Sequence, residues 1–260
     1  MKSLKGKKIV VTGSASGIGA EIASTLREWE AHVIGVDLND ASNTDDFLRA
    51  DLSEQESIDW LIDQLPSGID GLSNNAGLPP TRPAAMVLKV NLIGLKYLTE
   101  NLISKMSDGA SIVNLASLAG FGWQGSIDQV KAGYDLDFDN VDAFVKDQGI
   151  DASDAGRSYF FSKESLVVWT FNNRWTWRDR GIRMNSVSPG PVETPILPDF
   201  LAGLGDRKDK EEVMERLATP KDLAPVVAFL LSDETSWFRG SNITLDGGLS
   251  SHMLTQKFGL

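Results

Sequence analysis

The chain has 260 residues, 42% of them hydrophobic, and a formal charge of −11, an acidic balance that argues against a nucleic acid as general partner because Lys and Arg are what neutralise phosphates. It contains no cysteine and only two histidines, His32 and His252, which excludes disulfides, thiolate catalysis and Cys-ligated metals and leaves little for a histidine metal centre. No apolar run approaches the roughly 18 residues of a membrane span, and the start at Met1 has no signal-peptide core, so a cytoplasmic protein with no membrane partner is expected.

In chain order, Lys8–Thr12, His32–Asp37, Phe47–Asp51, Gly71–Asn74, Ala110–Leu115, Arg183–Val187 and Asn242–Leu245 read as short β-rich runs. Between them Gly17–Trp29, Glu54–Leu65, Ala84–Met106, Tyr159–Trp177 and Pro220–Leu231 carry helical patterns. Such alternation predicts an α/β fold: a doubly wound, Rossmann-like sheet of about seven parallel strands with helices on both faces, in one domain. Gly120 to Gly156 breaks the rhythm. There Asp128, Asp135, Asp137, Asp139, Asp142, Asp147, Asp151 and Asp154 stand against Lys131 and Lys146, an acidic and solvated excursion. Within it Val141, Phe144 and Val145 suit a short amphipathic helix with an Asp near its cap.

The first strand runs into Thr12-Gly13-Ser14-Ala15-Ser16-Gly17-Ile18-Gly19. Gly13 permits the tight turn, Gly17 a close backbone approach and Gly19 close helix–sheet packing, so the helix N-terminus faces a diphosphate. Asp37 closes the second strand, 24 residues after Gly13. There a dinucleotide fold places the carboxylate that accepts from the ribose hydroxyls, which favours NAD over NADP. With Ser14, Ala15, Ser16 and Leu38 around it, no base is at hand for a 2′-phosphate. The remaining reading of Asp37 is an ordinary surface carboxylate.

Tyr159 and Lys163 stand at i and i+4 and share a helix face. Of the three tyrosines, Tyr97 and Tyr134 are followed at that spacing by Asn101 and Phe138. A phenol has a pKa near 10, and an ammonium about 4 Å away contributes on the order of 4 kcal/mol at an effective dielectric of 20. Solvation losses oppose that, but a net shift of a few units towards working pH would be enough for general-base catalysis.

Taken together, Thr12-Gly13-xxx-Gly17-x-Gly19, Asn74-Asn75-Ala76-Gly77, Asn91, Ser117, Tyr159-xxx-Lys163 and Pro189-Gly190 resemble the short-chain dehydrogenase/reductase family, in its usual order and over nearly the whole chain. The resemblance implies hydride transfer between NAD and a small alcohol or carbonyl substrate. It gives Tyr159 the alcohol proton, Lys163 the nicotinamide ribose, Ser117 the substrate oxygen, and Asn91 a water that connects Lys163 to solvent. It further places the turn residues Gly13, Ser16, Gly17, Ile18 and Gly19 on the diphosphate, with Asp51 and Leu52 by the adenine. Asn75, Ala76 and Gly77 come near the adenosine ribose, and Pro189, Gly190, Val192 and Thr194 near the carboxamide.

Ser117 and Tyr159 lie 42 residues apart, more than the family's customary connection, and the acidic excursion fills the gap. It either covers the substrate mouth or alters a subunit contact of the Tyr159 helix; a tolerated surface insertion is the plain alternative. The segments Gly94–Glu100, Lys163–Trp169 and Pro189–Leu197 resemble bacterial members that oxidise aryl allylic alcohols such as coniferyl alcohol, with the 3α-hydroxysteroid dehydrogenase/carbonyl reductases next. Substrate choice is expected in a loop at about 195–219 and in the insertion, with Phe121, Trp123, Phe138, Phe144, Phe200 and Leu204 either lining an apolar site or belonging to the core. Trp169, Trp175 and Trp177 point to a homodimer or homotetramer through the Tyr159 helix. A nucleotide-sensing regulator on this fold, the rival reading, usually lacks the Tyr or the Lys.

Overall fold

A computed structural model describes residues 4–150, 156–204 and 213–260, excluding the side chains of 201–204. Seven strands form one sheet: β1 (Lys8–Thr12), β2 (His32–Asp37), β3 (Asp46–Arg49), β4 (Ile69–Asn74), β5 (Met106–Leu115), β6 (Arg183–Pro189) and β7 (Asn242–Leu245). Every pairing is parallel, in the order β3-β2-β1-β4-β5-β6-β7. Alternate side chains of a strand point to opposite faces, and β1 divides accordingly. Val10 enters one core with Leu72, Leu92, Phe161 and Leu166, whereas Ile9 and Val11 enter the other with Ile22, Leu26 and Val227. Both faces are covered, so the strands read as nearly continuous apolar runs.

The helices are α1 (Gly17–Glu28), α2 (Gln55–Gln64), α3 (Ala84–Leu88), α4 (Leu95–Leu102), α5 (Ile127–Ala132), α6 (Val141–Asp147), α7 (Arg157–Asn172), α8 (Leu197–Leu204), α9 (Pro220–Leu231) and α10 (Leu249–Phe258). The pattern read as one helix from Ala84 to Met106 is α3 and α4 joined by a π-helical turn at Lys89–Gly94, and Met106 already belongs to β5. The Tyr159 helix ends at Asn172, because the chain continues in separate 3₁₀ turns at Asn173–Trp175 and Arg178–Arg180. Trp175 and Trp177 therefore lie beyond it. Trp169 is buried in the core and Trp177 packs against that core, leaving Trp175, stacked on Arg174, as the exposed ring of the three. The argument for self-association from three helical tryptophans thus reduces to one ring.

The described aspartates of the insertion are exposed, and Asp151 and Asp154 lie outside the described residues. Val141 is fully buried, and Phe144 packs on Phe161 at 5.2 Å between ring centroids. Phe138 meets Tyr97 edge-on, and Lys96 donates to the Tyr134 carbonyl at 2.8 Å. The insertion is thus fastened along α4 and α7 rather than standing free in solvent. Among the described residues no helix is long and apolar enough to cross a membrane.

Candidate active site

Because the chain returns from the β3 edge to place β4 beside β1, the strand order reverses there, and ligands of open α/β sheets bind beyond the strand ends at such a point. A cavity of about 950 Å³ opens at that place. All the sequence-predicted site residues except Asn91 line it.

The cofactor end is built mostly of backbone. Gly13 adopts φ +67°, and a Cβ on it would stand 2.8 Å from the Ala76 backbone. A Cβ on Gly19 would reach 2.1 Å from the Gly13 carbonyl oxygen, so only glycine lets α1 start against this turn. The Thr12 hydroxyl accepts from the amides of Asn75 (3.0 Å) and Ala76 (3.2 Å), locking the β4 exit onto the β1 exit. Ser16 caps α1 without a side-chain hydrogen bond, and the first turn holds no acid. Its leading N–H groups and the positive end of its dipole thus remain available to an anion.

The Asp37 carboxylate accepts from the amides of Ala15 (3.0 Å) and Asn39 (2.9 Å). Arg49 stands opposite it in register on β3, a base that the linear neighbourhood of Asp37 concealed. Its guanidinium is engaged by Asp40 and by the Leu38 carbonyl. Asp51 turns its carboxylate onto the amide (2.8 Å) and hydroxyl (2.7 Å) of Ser53 while lining the cavity beside Leu52. These features fit a nicotinamide dinucleotide: a cradle without Cβ atoms, an uncapped helix start and a carboxylate at the cavity's edge.

At the other end, Tyr159 and Lys163 are both buried, one turn apart on α7. Lys163 Nζ donates to the Leu115 carbonyl at 2.8 Å and stands 5.6 Å from the centre of the Tyr159 ring. Ser117 follows β5, accepts from the Ala119 amide at 3.1 Å and hydrogen-bonds the Tyr159 phenol. Burial pushes Tyr159 up to about 12, with the Ser117 bond pulling the other way, and burial pushes Lys163 down to about 8. The structure thus gives the opposite of a lowered phenol pKa: desolvation outweighs the pull of the Ser117 bond.

Asn91 is fully buried in the π-helical turn, and both ends of its amide are occupied: Oδ1 accepts from Leu78 N (2.7 Å) and Nδ2 donates to Leu78 O (3.0 Å). Its side chain fixes a loop that lines the cavity and does not itself face it. Past β6, Pro189 and Gly190 lead to Val192, which bridges to Ala218. Glu193 N donates to the Ala218 carbonyl at 2.8 Å and Ala218 N to Pro191 at 3.1 Å. The expected substrate loop thus leaves and rejoins the fold at one neck. Inside it α8 sets Phe200 edge-on over Tyr159, with ring centroids 4.9 Å apart.

Of the six candidate lining side chains, Phe121 and Phe200 reach the cavity, whereas Trp123, Phe138 and Phe144 pack elsewhere and the Leu204 side chain lies outside the described residues. Among the described residues of the insertion region, Phe121 and Gly122 line it. Leu249 and Met253 on α10, and Phe160 and Glu164 on α7, line it without having been singled out for the site. The i, i+4 spacing within each pair is the signal that points them out.

A parallel Rossmann-like sheet with a glycine cradle at its switch point, and a Ser beside a buried Tyr and Lys, defines a nicotinamide-dependent oxidoreductase acting on alcohol groups. The chain belongs to the short-chain dehydrogenase/reductase family: residues 7–127 match the short chain dehydrogenase model, and 142–250 the enoyl-(acyl carrier protein) reductase model. It is 44% identical to the coniferyl-alcohol dehydrogenase of Pseudomonas sp. strain HR199 over 95% of this chain and 98% of that one. To the 3-alpha-hydroxysteroid dehydrogenase/carbonyl reductase of Comamonas testosteroni it is 30% identical, over 96% and 99%. The crystal structure of the 3-alpha-hydroxysteroid dehydrogenase from Pseudomonas sp. B-0831 complexed with NADH superposes with a TM-score of 0.79 at 30% identity, covering 95% of this chain and 98% of that chain.

Proposed function

We propose that the protein is an NAD-dependent dehydrogenase of aryl allylic alcohols of the coniferyl alcohol type. The observation that carries the chemistry is the joint burial of Tyr159 and Lys163 at one end of a cavity whose other end presents Asp37. The 44% identity to a coniferyl-alcohol dehydrogenase supports the substrate class. A 3α-hydroxysteroid is the second reading, favoured by the NADH-bound neighbour.

In this reading the bound NAD supplies the hydride acceptor. Ser117 Oγ and the Tyr159 phenol hold the substrate oxygen, and Tyr159 takes the alcohol proton during oxidation. Lys163 holds the nicotinamide ribose and passes charge towards the phenol, and Asn91 supports them by fixing the Leu78 loop. Gly13, Ser16, Gly17, Ile18 and Gly19 receive the diphosphate, and Asp51 and Leu52 flank the adenine. Asn75, Ala76 and Gly77 border the adenosine ribose, and Pro189, Gly190, Val192 and Thr194 the carboxamide. Asp37 selects NAD by accepting from the 2′-hydroxyl. A 2′-phosphate would meet its like charge, and the nearby cation, Arg49, is already held by Asp40.

A homodimer or homotetramer belongs to the same reading, supported by the exposed rings of Trp237, Trp175 and Phe238. So does a cytoplasmic location, in keeping with a chain free of cysteine. The test is reduced-cofactor formation at 340 nm with NAD or NADP against coniferyl alcohol, a 3α-hydroxysteroid and a simple aliphatic alcohol. NAD-linked oxidation of coniferyl alcohol is expected. Preference for the steroid moves the protein to the second reading, and preference for NADP overturns the role of Asp37.

A further inference from the structure

Glu164 follows Lys163 directly and is 4% exposed. Its carboxylate is held on two sides: Arg157 donates to Oε2 at 2.6 Å and Ser126 to Oε1 at 3.2 Å. Arg157 is itself fixed by Gln129, with Nε to Oε1 at 2.8 Å. Ser126 and Gln129 come from the insertion. Glu164 also lines the main cavity, together with Phe160, Phe121 and Gly122. Beside Gly122 there is room, since a Cβ there would meet nothing within 4 Å.

A carboxylate offers about four acceptor positions, and Arg157 and Ser126 occupy one each. The pair with Arg157 fixes its direction. Glu164 stands five residues beyond Tyr159, about 7.5 Å along the helix axis and turned about 140° around it, so the two groups line the same cavity from different directions. Phe121 and Phe160 add apolar surface to the lining of the same cavity.

We propose that Glu164 is the specificity-determining end of the substrate cavity and accepts a hydrogen bond from a hydroxyl carried on the far side of the substrate, a phenol in an aryl allylic alcohol. This rests on the aryl-alcohol reading above. The insertion then acts on substrate choice by supplying the Ser126 and Gln129 contacts that orient Glu164 and Arg157. A substrate ending in a carboxylate meets like charge there, and one ending in an ether or a bare ring leaves the acceptor unused.

The experiment compares kcat/KM for coniferyl alcohol and for its 4-O-methyl ether, in the unaltered enzyme and in Glu164→Gln. The unaltered enzyme is expected to favour the free phenol at least about tenfold, as a charge-assisted hydrogen bond does. The variant should bring that ratio to within about threefold of unity, because a neutral acceptor binds the phenol more weakly. A purely structural role would slow both alcohols together and leave the ratio standing. Equal rates in the unaltered enzyme, which need no variant to fold, overturn the role of Glu164 while coniferyl alcohol oxidation stands. Failure to oxidise either alcohol overturns this inference together with the reading beneath it.

Discussion

The two ends of the cavity are made by different means. At the cofactor end, strand exits, an uncapped helix start and the Thr12 clamp place backbone atoms, and side-chain identity matters chiefly where a Cβ would intrude, as at Gly13 and Gly19. At the Tyr159 end the lining includes residues of α7, α8, α10 and the β5–α5 connection. The first construction fixes what is bound, and the second leaves what is turned over open to change.

The sharpest way to break this division is Tyr159→Phe, which touches only the chemistry. It should lower kcat by a factor of about 10²–10⁴ while the affinity for NAD, measured by calorimetry, stays as it was; unchanged turnover sinks the assignment. Gly19→Ala attacks the backbone end. With 2.1 Å between the new Cβ and the Gly13 oxygen, the turn must shift, and we expect loss of NAD binding with about 2–3 kcal/mol of stability, seen as a melting point lower by several degrees.

A pH-dependent effect on stability is expected at Lys163. Folding lowers its pKa from 10.5 to about 8, so between those values the unfolded chain binds more protons and stability rises with pH. Below about 8 the buried ammonium weakens the fold by its full amount. Lys163→Met should therefore melt higher than the unaltered protein at pH 7, with the gap narrowing as pH rises from 8 to 10.5. A gap that does not change with pH would show that burial of the charge is not the cause.

Most of the frame was legible in the sequence. Strands β1, β2 and β7 and helix α9 have the bounds that periodicity predicts, because each combines an apolar run with a clear stop. The break between α3 and α4 was not, since a π-helical turn keeps the composition of a helix and changes only its hydrogen bonding. Helix α10 was missed because Ser250, Ser251 and His252 dilute its apolar stripe, and Leu249 and Met253 face a cavity instead of a core. At the site, glycines and the Tyr–Lys pair announce themselves by spacing. The Arg49 side chain opposite Asp37 and the Arg157–Glu164–Ser126 group do not, because strand register and the path of the insertion bring them together across the chain.

The neck at Val192 and Ala218 carries a consequence for how such an enzyme diversifies. The two flanks of the loop expected to select the substrate are hydrogen-bonded to each other at its base, so its ends are held independently of its length. Doubling the length of such a loop costs only about 0.6 kcal/mol of closure entropy, and neither the sheet nor the glycine cradle registers the change. New alcohols can be reached by rewriting the residues between two fixed points while the cofactor and the proton acceptor stay where they are.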